Sequence, residues 1–190
     1  SRNTEALQAV RSGCQDPGAV TVVPMDLEDA ASMPKVAASA IAAFGKIDIL
    51  VNNAGLSQRS LIADTTQAVY ERLIRVNYLG TVALTRALLP HFTTKGSGHF
   101  VTVTSLMGKF GSPYRSGYCG AKHALHGFFD VLRMEHQKAG VQVSMICPGF
   151  VRTDVARNAL TADGTPQSVQ DTATEKGMDP DRFAKKMWKA

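Results

Sequence analysis

The sequence is poor in cysteine and has no long apolar run. Its three cysteines, Cys14, Cys119 and Cys147, are odd in number and none is closely spaced with another. That argues against a disulfide scaffold and against a zinc site, and it fits the cytoplasm or another reducing compartment. No apolar stretch approaches the ~18 residues of a membrane span. The first ten residues, SRNTEALQAV, lack the apolar block of a signal peptide. Membrane association through sequence upstream of Ser1 stays open. There is no internal repeat and no low-complexity segment. The formal charge is +5, yet the one dense basic cluster, AKKMWKA at the C-terminus, reads as a solvated helix face. No nucleic-acid-binding signature accompanies it, so no nucleic-acid partner is expected. No glycine-rich turn of the kind that cradles a dinucleotide pyrophosphate precedes the first strand-like run.

What is present is a folded composition, 44% apolar and 19% charged. Short β-branched runs alternate with helical stretches, which predicts an α/β fold with a doubly wound parallel sheet, Rossmann-like, in one domain over 1–190. Strands are expected at 19–26, 47–55, 99–105 and 141–149. Helices are expected at 31–45, closed by Gly45, and over about 64–93. Further helices are expected at 117–136 and from Asp179, an N-cap followed by Pro180. In open sheets of this kind ligands sit beyond the carboxyl ends of the strands. Asp26, Asn52-Asn53-Ala54-Gly55, Ser105 and Pro148-Gly149 gather there.

Tyr118 and Lys122 lie four apart in GYCGAKHALHGFFDVLRMEH, on one helix face. An ammonium beside a phenol favours the phenolate and lowers the tyrosine pKa. Such a pair can pass a proton to or from a hydroxyl or carbonyl. Ser105, at the preceding strand end, can return through the loop LMGKFGSPYRS to face the tyrosine hydroxyl. Two hydroxyls around one oxygen can protonate and polarise a carbonyl. His123 and His126, three apart, and His136 further on read as packing or surface residues, with no third ligand converging on the pair to make a metal site.

VNNAG, Ser105 ahead of Tyr-x-x-x-Lys, and PGFVRT, in this order, resemble the short-chain dehydrogenase/reductase family over essentially the whole chain. The tracts DILVNNAG, GYCGAKHALHGFFD and NALTADG are most similar to its dehydrogenase/reductase 7 and 7B branch, related to 11-beta-hydroxysteroid dehydrogenase type 1. The resemblance implies an oxidoreductase that exchanges hydride between nicotinamide and a secondary alcohol or ketone. Tyr118 would be the acid or base, and Lys122 would tune it and hold the nicotinamide ribose. Ser105 would polarise the carbonyl, and Asn77, in RVNYLG, would hold a water of a proton relay. Asn52, Asn53, Ala54 and Gly55 would pass beneath the adenosine ribose, one asparagine tying adjacent strands. Asp26 and Leu27 would flank the adenine. Pro148, Gly149, Val151 and Thr153 would meet the nicotinamide and pyrophosphate. Arg2, with no acidic residue at positions 1 to 4, favours NADP(H) over NAD(H).

The resemblance also implies a homodimer or homotetramer through the Asn77 and Tyr118 helices. The 154–178 segment leaves the active-site strand end and is longer than an ordinary connection, so a substrate-facing lid is expected there. Steroids, retinoids, sugars and small ketones all remain open as substrates. A non-catalytic NAD(P)-binding scaffold on the same fold is the alternative reading. Against the family's strand order, 3-2-1-4-5-6, the strand at 19–25 would reach that at 47–52 only through two strands outside this sequence, and the last strand is also absent. The chain is therefore expected to be part of a longer protein that extends upstream.

Overall fold

The β-branched runs form a three-stranded, all-parallel sheet in the order β1 (Ile49–Asn52), β2 (Gly98–Val103), β3 (Val141–Ile146). The computed structural model describes residues 1–189. Ala190, where the expected C-terminal helix ends, lies outside the described residues. The helices are α1 (Thr4–Ser12), α2 (Met33–Phe44), α3 (Gln67–Ile74), α4 (Thr81–Lys95), α5 (Ser116–His136), α6 (Thr172–Glu175) and α7 (Pro180–Trp188). Their caps follow from the sequence. Asn3 accepts from the Ala6 amide at α1, and Asp179 accepts from the Asp181 and Arg182 amides at α7, with Pro180 in its first turn.

Side chains alternate across a strand, and the register puts Leu50 beside Phe100 and Phe100 beside Val143. This row faces α2, α4 and α5. There Leu88, Phe92, Leu125, Phe129 and Leu132 close the core, and the Phe92 and Phe100 ring centroids stand 4.8 Å apart. The alternate residues of β1, Ile49 and Val51, each stay 41% exposed. β1 is an edge of this sheet, and these two residues lie on the face away from the Leu50–Phe100–Val143 row.

Two expectations change. Residues 19–26 form no strand. Val20 is extended (φ −115°, ψ 123°), and the Met25 amide donates to the Ser1 carbonyl at 3.0 Å, but a strand needs a partner for its whole backbone, which this segment lacks among the described residues. The helix expected over 64–93 is α3 and α4 joined by a π-helical turn, Arg75–Gly80. Such turns widen a helix and occur often at functional sites. Gly80 lets the 26–28 segment lie against this turn, since a Cβ there would collide with the Leu27 carbonyl oxygen. Arg72 then reaches Glu28 at 3.0 Å.

Candidate active site

β2 ends at Val103, and the chain turns at Ser105, whose buried hydroxyl accepts the Met107 amide at 3.1 Å. The turn sends residues 106–115 outward and back, so that α5 begins at Ser116 and carries Tyr118 in its first turn. Tyr118 and Ser105 line the same cleft. Burial raises the Tyr118 pKa above its ordinary value, while hydrogen bonding with the Ser105 hydroxyl and the charges of Arg115 and Arg59 pull it part of the way back.

Lys122, one turn further on, is buried at 5% exposure. Its ammonium donates to the Val103 carbonyl at 3.0 Å and stands 5.8 Å from the Tyr118 ring centroid. Desolvation brings its pKa down to about 8. The net Tyr118 shift is thus upward, where the spacing of Tyr118 and Lys122 led to the expectation of a downward one. Burial is the largest cause acting on Tyr118, and one of the ammonium's three N–H donors goes to the end of β2.

Asn77 lies in the π turn, 1% exposed. Its Oδ1 accepts the Leu56 amide at 2.7 Å and its Nδ2 donates to the Leu56 carbonyl at 2.9 Å. The bend after β1 passes so close that a Cβ on Gly55 would meet Asn77 Oδ1 at 2.8 Å, which only glycine avoids. Asn52 points elsewhere. Its Nδ2 donates to Thr85 Oγ1 at 3.1 Å and Thr102 Oγ1 at 3.4 Å, tying β1 to α4 and β2.

A cleft of about 880 Å³ opens beyond the strand ends. Arg2, Asn53, Ala54, Gly55, Ser105, Tyr118 and Lys122 line it, as do Pro148, Gly149, Val151 and Thr153. Asp26, Leu27, Asn52 and Asn77 are not part of its lining. Asn52 and Asn77 brace the wall from behind, Leu27 packs on Gly80, and Asp26 pairs with Arg2 at 3.3 Å. α7 adds Phe183, Ala184 and Met187 to the cleft.

The 154–178 segment is held at several points. Leu160 exchanges backbone bonds with Ser57 (2.9 Å) and Arg59 (2.8 Å), and Met178 pairs with Phe150 and Arg152 at 2.9 Å each. Asp171 caps α6 through the Thr174 amide and takes two guanidinium groups, Arg59 and, at 3.7 Å, Arg115. Burial pulls the Asp171 carboxyl up, but the Thr174 amide and Arg59 outweigh it and leave it below its ordinary value.

One residue of the site carried no sequence signal. Gln58, fully buried, accepts the Gly117 amide at 2.8 Å and the Tyr118 amide at 3.3 Å. A glutamine in a loop has neither a period nor a motif. The one available hint was that Arg115, ahead of α5, is a poor N-cap residue and left the helix start without a partner.

A family model described as short chain dehydrogenase matches residues 1–164. Dehydrogenase/reductase SDR family member 7B of Bos taurus is 40% identical, over 96% of this chain and 58% of its own length. Dehydrogenase/reductase SDR family member 7 of Homo sapiens is 43% identical, over 87% of this chain and 50% of its own. The chain therefore spans about half the length of these curated relatives. Among solved structures, a short-chain dehydrogenase from Streptomyces avermitilis superimposes with a TM-score of 0.85 at 29% identity, covering 99% of this chain and 71% of that one. ElxO with NADP bound gives 0.77 at 26% identity, covering 81% and 63%.

Proposed function

The chain belongs to the short-chain dehydrogenase family, in the branch of dehydrogenase/reductase 7 and 7B, and from that premise we propose that the protein carrying it is an NADP(H)-dependent oxidoreductase. It moves a hydride between nicotinamide and a secondary alcohol or ketone. The observation that carries this reading is the gathering of Ser105, Tyr118 and Lys122 on one cleft.

The residues fit a nicotinamide cofactor. Lys122 spends one hydrogen bond on Val103, and an ammonium has three N–H donors, so donors remain for ribose hydroxyls. The backbone of Asn53, Ala54 and Gly55 and the turn at Pro148-Gly149 supply the facing walls. When bound, the cofactor supplies or takes the hydride.

The chain's own residues handle the proton and the substrate oxygen. The Ser105 hydroxyl already accepts from Met107, which leaves its O–H to donate to a carbonyl oxygen. Tyr118, with its pKa raised, is protonated at neutral pH and can donate from Oη to that oxygen during reduction; in oxidation the same atom takes the proton back. Two donors on one oxygen stabilise the charge that develops on it. Asn77 fixes the Leu56 bend and completes the set, with a water of the proton relay as its expected further contact.

Arg2 supports NADP(H). Its ion pair with Asp26 is exposed, with side chains 67% and 36% accessible, and exposed pairs are weak. A ribose 2′-phosphate can therefore recruit the guanidinium. The NADP in the ElxO structure points the same way.

The 154–178 segment serves as the substrate-side lid. Exposed Leu79, on the π turn, with Val131 and Met134 on α5, supports a homodimer or homotetramer through these helices. Three free cysteines agree with the cytoplasm or another reducing compartment. No helix among the described residues is long and apolar enough to cross a membrane. The test is oxidation of NADPH and of NADH with a panel of ketones. Turnover preferring NADPH supports the reading, and binding without turnover of any carbonyl favours a non-catalytic scaffold.

A further inference from the structure

A helix N-terminus leaves backbone amides without partners. α5 is exposed to that problem at the point where it carries Tyr118, because Arg115 makes no side-chain cap. The partner comes from the loop after β1. Gln58 has 0% of its surface exposed. Its Oε1 accepts from the amides of Gly117 (2.8 Å) and of Tyr118 itself (3.3 Å). Its Nε2 faces Ser60 Oγ at 3.1 Å, Thr65 Oγ1 at 3.3 Å and Ser116 Oγ at 3.5 Å. The orientation of the amide is set by chemistry, because backbone N–H groups only donate and the atom facing them must be the oxygen. The fit is close on the helix side, where a Cβ on Gly117 would meet Gln58 Oε1 at 3.2 Å and Leu73 Cδ1 at 2.8 Å.

The same short segment grips the substrate side of the cleft by its backbone. Ser57 accepts from the Leu160 amide at 2.9 Å, Arg59 donates to the Leu160 carbonyl at 2.8 Å, and Arg59 pairs with Asp171. Burial does not by itself call for glutamine here. A leucine would fill similar space but leave two helix amides unpaired, and a buried unpaired donor is costly.

We propose that Gln58 is a positioning residue for Tyr118: its side chain fixes the backbone that carries the phenol, while its flanking backbone joins that anchor to the 154–178 segment. The proposal rests on the reading of Tyr118 as acid and base. Its consequence is specific. Loss of the anchor lets the phenol stray from the reacting oxygen, and misplacement by about 1 Å costs on the order of 100-fold in rate.

The charged and titratable groups around the phenol are Arg59 from the Gln58 segment, Arg115 from the loop before α5, and Cys119 and Lys122 from α5. Ser105 joins them from the end of β2, and Asp171 from α6 meets both arginines. A carboxylate at position 58 would add a negative charge among them and disfavour the phenolate.

Gln58→Leu, Gln58→Glu and Tyr118→Phe are made in the protein carrying this chain and assayed for NADPH-dependent carbonyl reduction across pH, with thermal melts of each. Gln58→Leu should lower kcat by about tenfold or more with the NADPH KM within about twofold. Gln58→Glu keeps two acceptor oxygens, and Ser60 and Ser116 can each turn a hydroxyl towards it. It should recover most of the kcat and move the tyrosine limb of the pH profile upward. Wild-type kcat in Gln58→Leu, or a Gln58→Glu profile superimposed on wild type, overturns the proposal. If Gln58→Leu does not fold, the Gln58→Glu profile decides alone. Undiminished turnover in Tyr118→Phe defeats the catalytic reading instead. The phenolate absorbance of Tyr118, taken as the difference from Tyr118→Phe, then decides the contact: an upward shift in Gln58→Glu supports it, and an unmoved titration overturns it.

Discussion

Asn77 holds Leu56 by both of its backbone polar groups, accepting the amide at 2.7 Å and donating to the carbonyl at 2.9 Å. A side chain from the π turn thereby shapes the bend that follows β1. Leucine at position 77 keeps the volume and removes both bonds. Asn77→Leu should destabilise the fold by about 2 kcal/mol, because each unpaired buried group carries a desolvation cost. Urea unfolding checks this, with a lower midpoint and an unchanged slope expected.

Asp171 joins the segment over 154–178 to the start of α5 through Arg59 and Arg115. Asp171→Asn should speed limited proteolysis within 154–178 while the core helices stay protected. The pH dependence has a defined sign. The folded carboxyl lies below its ordinary value, so its stabilisation is present above the unfolded pKa of about 3.9 and disappears as pH falls through the lower folded value. Melting temperatures of wild type and Asp171→Asn should converge in that acid range.

Lys122 works in the opposite direction. Its folded pKa of about 8 lies below the 10.5 of a free lysine. At neutral pH the group is charged in both states and burial penalises the folded one. Between pH 8 and 10.5 the unfolded chain holds more protons, so stability from this group rises with pH. Lys122→Met lacks that slope. The difference in unfolding free energy between the two proteins should therefore change by about 3 kcal/mol across the window, with the other lysines cancelling. Denaturant melts at several pH values measure it.

Arg2 is paired with Asp26 at the mouth of the cleft. Arg2→Ala should weaken NADPH binding by about tenfold and NADH binding far less, since only the former carries the 2′-phosphate. Fluorescence titration with both cofactors gives the ratio directly.

The sequence made some parts of this architecture legible for clear physical reasons. Tyr118 and Lys122 share a face because helical spacing demands it, and α5 runs over Ser116–His136, close to the 117–136 read from its pattern and bounding glycines. Asp179 and Pro180 announced the start of α7 by their chemistry. The run at 19–26 has strand composition, but pairing is a non-local property and composition cannot supply the partner. The sign of the Tyr118 shift depends on burial, which a spacing argument does not measure. Gln58 stayed hidden for a related reason. Its importance comes from meeting an uncapped helix start in space, at Gly117 and Tyr118, far along the chain.

The central claim is that Tyr118 moves the proton at the substrate oxygen, and Tyr118→Phe tests it by removing one hydroxyl. In the protein carrying this chain, NADPH-dependent reduction across a panel of ketones should fall by about 100-fold or more, while NADPH still binds with near wild-type affinity in a fluorescence titration. Undiminished turnover in the phenylalanine variant would contradict the account.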